Sequence, residues 1–160
     1  MKSIFTRTYQ YREREKKNNL ENYLIEIFAF CLENDKIFRR DYLSEIGFNI
    51  NTDISISTQS SYKDLGRPDI EINNANSIIL IECKIESKER TNQLKDYLKI
   101  LRKSKLENKW LIYLTKYYET KEFDIKKSNI IFINHSLTRF PSSYKSSIID
   151  SVMNCTRSHT

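Results

Sequence analysis

Asp69, Glu82 and Lys84 are the residues of this chain whose types and spacing suit chemistry. Asp69 directly follows Pro68, while Glu82 and Lys84 sit inside the isoleucine-rich run "SIILIECKI". A buried charge is costly unless it is paired or coordinates a metal. The stretch "GRPDIEINNANSIILIECKIES" (66–87) therefore reads either as a salt-bridged piece of sheet or as an active site. Two carboxylates and an ammonium on a dry platform suit phosphodiester hydrolysis. The carboxylates offer hard oxygen ligands to Mg²⁺, which keeps waters of its own. A bound metal polarises the phosphate and acidifies water, and a lysine nearby can orient the nucleophile or offset developing charge.

Strand geometry decides whether these groups can meet. Side chains at i and i+2 share a face, so Glu82 and Lys84 point the same way with Leu80 and Glu86. Ile79, Ile81, Cys83 and Ile85 take the other face, toward the core. On the preceding strand Asp69 and Glu71 oppose Ile70 and Ile72. The tightest hairpin across "NNAN" sets Ile72 near Ser77 and Asp69 near Leu80, so Asp69 lies diagonally from Glu82; longer loops are equally open. The tripeptide E-x-K alone means little, since the chain holds five copies. Only the copy at Glu82 follows four apolar residues with a Pro-Asp thirteen positions upstream.

The surrounding elements follow from periodicity. Leu20, Tyr23, Leu24, Ile27, Phe28, Cys31 and Leu32 recur at helical spacing, and "KIFRRDYLSEI" forms a second short helix that stops at Gly47. "DISISTQSS", "RPDIEI" and "SIILIECKI" read as strands, and Pro68, lacking an N–H, suits a strand start. "TNQLKDYLKILRKSK" is a helix with Leu94, Tyr97, Leu98 and Leu101 on one face and a basic row of Lys95, Lys99 and Arg102 on another. "KWLIYLTKYY" and "NIIFINHS" are further strands, and "SSYKSSIIDSVMN" forms a short terminal helix. The order αα-βββ-α-β-β-α describes an α/β domain, a mixed central sheet of four to five strands flanked by helices.

Composition narrows the setting. The 160 residues suit one domain, and a net charge of +6 favours a polyanionic partner such as nucleic acid or an anionic surface. Residues 1–17 form a basic arm, with Lys2, Arg7, Arg12, Arg14, Lys16 and Lys17 against Glu13 and Glu15. The arm reads as a solvated segment or one that contacts phosphates. Residues 18–152 make the domain and 153–160 a frayed tail. Three scattered cysteines and two histidines suit neither a disulfide framework nor a zinc site. With no apolar run long enough to span a bilayer and no secretory leader, the expectation is a cytoplasmic protein without a membrane partner.

These residues resemble the PD-(D/E)XK nuclease superfamily, whose fold is the restriction-endonuclease-like core of order α-βββ-α-β. Pro68-Asp69 is similar to its PD and Glu82-Cys83-Lys84 to its (D/E)XK. "NLENYLIEIFAFCLEND" resembles the opening helix of one branch, and "NQLKDYLKIL" resembles the helix that follows the E-x-K strand. The resemblance implies that Asp69 and Glu82 ligate Mg²⁺, with Mn²⁺ as an alternative, helped by the Cys83 carbonyl. It implies that Lys84 acts on the nucleophile or transition state, Glu21 is an accessory acid near the metal, and Gln93 helps position Lys84 or the phosphate. Two departures stand out: Ile25 where that branch usually carries a small polar residue, and a short C-terminal stretch.

Each residue also has a plainer reading. The charged trio can be a cross-strand salt bridge, Glu21 can close a capping box with Asn18, and Gln93 can be a polar helix residue. Glu26 reads as a surface charge and Cys83 as apolar filler. Arg67, Lys88 and Arg90 flank the site and either meet phosphates or stay solvated. The implied function is Mg²⁺-dependent hydrolysis of nucleic acid, DNA above all, by an endonuclease. The alternatives are a catalytically silent nucleic-acid- or protein-binding module, or a subunit active only with a partner or a second copy.

Overall fold

A computed structural model describes residues 3–9, 20–48, 53–85, 87–119, 121 and 129–136. The terminal helix expected in "SSYKSSIIDSVMN", the tail and most of the basic arm lie outside them. Of the arm, Ile4–Thr8 forms a short helix, α1, started by Ser3, whose hydroxyl accepts from the Thr6 N–H at 3.2 Å. Arg7 pairs with Glu33, which joins α1 to the next helix.

That helix is α2 (Leu20–Asn34), followed by α3 (Lys36–Glu45). Asp35 starts α3 by accepting from the N–H groups of Ile37 and Phe38 at 2.9 and 3.0 Å. Gly47 ends it at φ +76, where the Phe48 N–H returns to the Leu43 carbonyl at 2.8 Å. Only glycine adopts that turn without strain, which makes it a firm stop.

Five strands follow around one more helix. They are β1 (Ser55–Thr58), β2 (Ile70–Asn73), β3 (Ser77–Lys84), β4 (Asn108–Thr115) and β5 (Ile130–Ser136), with α4 (Gln93–Lys103) between β3 and β4. The sheet runs β1-β2-β3-β4-β5, antiparallel through β3 and parallel from β3 to β5. A parallel β3–β4 pair requires a crossover, and α4 supplies it.

The sheet is covered on both faces. Ile70, Ile72, Ile79, Ile81, Cys83, Ile112 and Leu114 pack under α2 and α3. Ile78, Leu80, Leu111 and Tyr113 pack under Leu94, Tyr97, Leu98 and Leu101 of α4. Each fully buried Ile or Leu contributes roughly 1.5–3 kcal/mol of transfer free energy. β3 is buried on both sides, so the face shared by Leu80 and Glu82 is core as well as the Ile79–Cys83 face, as in strands with parallel pairing. The charges it carries consequently lie in a largely dry place. Among the described residues, no helix is long and apolar enough to cross a membrane.

Candidate active site

The hairpin is tighter than one that loops out all four residues of "NNAN", since Asn73 already belongs to β2. Ile72 faces Ile79 and Ile70 faces Ile81, because the connection spans Asn74–Asn76 with Asn74 N–H donating to Ser77 O at 3.1 Å. The two-residue shift moves Asp69 from the diagonal to the position opposite Glu82, one residue beyond the last ladder pair. The Asp69 carboxylate accepts from the Cys83 N–H at 2.8 Å, which fixes it against the end of β3.

Glu82 is 1% exposed. Its Oε1 lies 2.5 Å from Lys84 Nζ and 2.7 Å from Gln93 Nε2, while its Oε2 is buried with no hydrogen-bond partner. Lys84 also reaches the Cys83 carbonyl at 3.4 Å. An α-helical residue and a strand residue thus grip one carboxylate oxygen and leave the other unused.

Glu21, from the first turn of α2, completes the cluster. Its carboxylate accepts from the N–H groups of Ile85 and Ser87, each at 3.1 Å, and from the Ser87 hydroxyl at 2.6 Å. Its Oε1 is 3.9 Å from Lys84 Nζ. The side chain therefore reaches the end of β3; Asn18, its partner in the capping-box reading, lies outside the described residues. Glu26 is also corrected: it is 4% exposed, not on the surface, and accepts from the Thr58 hydroxyl at 2.7 Å. Ile25 is buried in the core under the sheet.

Gln93 sits at the start of α4, its Oε1 accepting from the Arg90 N–H at 3.1 Å. Its amide N–H also donates to the Tyr97 hydroxyl at 3.0 Å, and Tyr97 in turn donates to the Arg67 carbonyl at 3.0 Å. The chain Glu82–Gln93–Tyr97–Arg67 thus ties the E-x-K strand to the main chain just before Asp69. Gly66, at φ +103, lies against Tyr97: a Cβ there would stand 3.4 Å from both the Tyr97 ring and the Arg90 guanidinium. Sequence reasoning gave Tyr97 only as a core residue. Its spacing, one helical turn past Gln93, was the available signal.

The three flanking cations part company. Arg67 is exposed at the turn into Asp69; Lys88 and Arg90 line an open cleft beside Lys84, where Arg90 pairs with Asp96 at 3.0 Å. Cys83 is buried among apolar side chains, and burial, then the charges of Asp69 and Glu82, push its thiol well up. It is filler, with no nucleophilic character.

Electrostatics follow from crowding. Burial, then the charge of Glu82, pushes the Asp69 carboxyl up to about 7, against the opposing pull of the Cys83 N–H and Lys84. Burial also raises Glu82, while Lys84 and Tyr97 pull it down. Burial alone would lower Lys84, but Glu82, then Asp69 and Glu21, outweigh it and hold the ammonium protonated.

A model of the PD-(D/E)XK nuclease superfamily matches residues 8–155. The chain belongs to the PD-(D/E)XK nuclease superfamily. Its five-stranded mixed sheet flanked by helices is a restriction-endonuclease-like fold. Members of this superfamily are nucleases that generally depend on divalent metal ions. No curated protein matches the chain significantly.

The donor set suits such an ion. Among the described residues no three His, Cys, Asp or Glu side chains enclose a metal by themselves. Mg²⁺, however, usually takes one or two carboxylates and keeps several waters. Asp69, the buried, unpartnered Glu82 Oε2 and the Cys83 carbonyl offer hard oxygens of that kind.

Proposed function

We propose that this chain hydrolyses phosphodiester bonds in nucleic acid as a Mg²⁺-dependent endonuclease, with DNA as the substrate. The observation that carries the reading is Glu82: a nearly fully buried carboxylate with one oxygen held by Lys84 and Gln93 and the other without a partner. A purely structural ion pair gains by satisfying both oxygens. An oxygen kept dry and unpartnered is what a hard cation needs.

Asp69, Glu82 and the Cys83 carbonyl hold the ion, with Glu21 beside them as an accessory acid. When bound, the ion polarises the scissile phosphate and makes water acidic enough to attack at neutral pH. Lys84, kept protonated by its carboxylate neighbours, donates toward the attacking water and the phosphoryl oxygens and offsets charge that develops in the transition state. A protonated lysine is an electrostatic stabiliser here, with no lone pair for base duty. Gln93 and Tyr97 fix Glu82 and the Asp69 strand, and Glu21 anchors the chain after β3. Mounting on strands and a helix start keeps these groups in position. Lys88 and Arg90 meet backbone phosphates beside the cut.

The test is supercoiled plasmid incubated with Mg²⁺, with Mn²⁺, or with a chelator. Nicked and linear forms should accumulate with either metal and be absent with the chelator. Plasmid and single-stranded circular DNA both left intact under both metals would contradict DNA cleavage by the chain alone.

A further inference from the structure

The cleft beside Lys84 has a volume of about 600 Å³ and is lined by four cations, Lys84, Lys88, Arg90 and Lys121, and by the carboxylates of Glu89 and Glu119, with Tyr113 among the rest. One wall is the stretch between β3 and α4, and the other is the chain leaving β4. That second wall is Glu119 and Lys121, on the segment that follows Thr115, the cross-strand partner of Lys84. The segment is held in place: the Lys116 N–H donates to the Lys84 carbonyl at 3.4 Å, and the Thr115 hydroxyl donates to the Tyr117 carbonyl at 2.5 Å. The same tethered segment carries, outside the cleft's own lining, two successive aromatic side chains, Tyr117 and Tyr118, 65% and 52% exposed. Lys116 Nζ lies 5.7 Å from the Tyr117 ring centroid.

We infer that this cleft receives a single, unpaired strand of nucleic acid, its phosphate beside Lys84 and Lys88 and its bases stacked on Tyr117 and Tyr118 next to the cleft. The inference rests on the nuclease reading and adds the form of the substrate.

Size supports it first. A volume near 600 Å³ is that of a site for a small ligand, within the usual range of about 300–1,000 Å³. A nucleotide or two fits such a space. Exposure supports it second. Aromatic rings bind bases through their π-faces, which are hidden inside a stacked duplex and offered by single strands. Two exposed rings two and three residues past the partner of Lys84 place base-binding surface near the proposed reacting phosphate.

Charge is the third argument. Arg90 is paired with Asp96, Lys121 with Glu89 at 3.0 Å and Glu119 at 3.7 Å, and Lys84 with Glu82. Among the described residues, Lys88 is the cleft cation without a carboxylate partner. So few free charges give modest phosphate attraction. Stacking must then supply much of the affinity, which again favours unpaired bases.

Fluorescence anisotropy of the full chain in EDTA tests this without cleavage. The probes are a labelled oligo-dT strand, an abasic strand of equal length, and a duplex. The expected order is oligo-dT tightest, with the abasic strand and the duplex each weaker by roughly tenfold or more. Tyr117→Ala with Tyr118→Ala should weaken oligo-dT by roughly 10- to 100-fold and leave duplex binding unchanged, and phenylalanine at both positions should restore it. Equal binding of duplex and oligo-dT, or equal binding of the abasic strand, overturns the inference even if the alanine variant misfolds. Cleavage of plasmid with Mg²⁺ alongside either result leaves the nuclease reading standing while the single-strand inference falls. Tight, tyrosine-dependent binding by a chain that cuts nothing does the reverse.

Discussion

Lys84 Nζ lies 2.5 Å from Glu82 Oε1, two residues away on the same face of one strand, with the side chains only 10% and 1% exposed. Neighbouring positions on one strand face enforce this closeness, and α4 closes over it through Gln93. The pair makes each of its members depend on the other.

Removing one partner should therefore cost more than removing both. Lys84→Met leaves a buried carboxylate unpaired and should destabilise the protein by about 3–5 kcal/mol near neutral pH. Combining it with Glu82→Gln should recover most of that loss. Urea denaturation of the two single variants and the double variant, run with a chelator present, measures the coupling. Additive losses would show that the two groups do not sense each other.

Asp69 gives a pH dependence with a definite sign. Its carboxyl is raised from an ordinary value of 3.8 to about 7 in the folded chain. Below the unfolded value both states bind the proton, and the native state keeps it longer as pH rises. Native stability from this group is thus fully present in acid and is lost as pH climbs toward 7. Metal-free protein should lose about 2 kcal/mol between pH 5 and pH 8 from this source, less than the full shift implies because Asp69 is partly solvent-exposed. Asp69→Asn should flatten that stretch of the curve. Thermal unfolding in EDTA at both pH values decides it. Added Mg²⁺ should raise the wild-type midpoint at pH 8 and leave that of the variant unmoved.

Glu21 ties α2 to the chain just after β3 through three hydrogen bonds. Glu21→Ala should cost about 2–3 kcal/mol, because bonds to a charged acceptor are the stronger kind. It should also open the 85–92 stretch to limited proteolysis and lower the cleavage rate at least tenfold. A variant with wild-type protease resistance in that stretch would remove the anchoring role.

Tyr97 links Gln93 to the Arg67 carbonyl. Tyr97→Phe keeps the ring and its packing but removes the hydroxyl, so stability should fall by only about 1 kcal/mol. Cleavage should fall more, about tenfold in kcat with KM nearly unchanged, because Glu82 and the Asp69 strand lose a shared brace. Steady-state kinetics on a labelled oligonucleotide separates the two constants. An unchanged kcat would make the hydroxyl merely structural.

Asp69, Glu82 and Lys84 were legible in the sequence because charges in an isoleucine run have few inexpensive explanations. The continuous apolar run "SIILIECKI" also carried the sign of burial on both faces. Pairing register was not legible, since it depends on how many residues the Asn-rich turn consumes. Burial of Glu26 escaped detection because its partner, Thr58, lies 32 residues away and no local pattern announces it. Tyr97 was hidden by its own ring, which fits an apolar helix face whether or not the hydroxyl is used. The contacts of Glu21 with Ile85 and Ser87 were not legible, since those partners lie 64 and 66 residues away.

The most direct measurement is conversion of supercoiled plasmid in Mg²⁺ by wild type and by Lys84→Ala, with folding of the variant checked by circular dichroism. Nicking by wild type that drops at least a thousandfold in a folded Lys84→Ala, and stops in chelator, is the predicted result. Equal cutting by the two proteins would contradict a catalytic centre built on Asp69, Glu82 and Lys84.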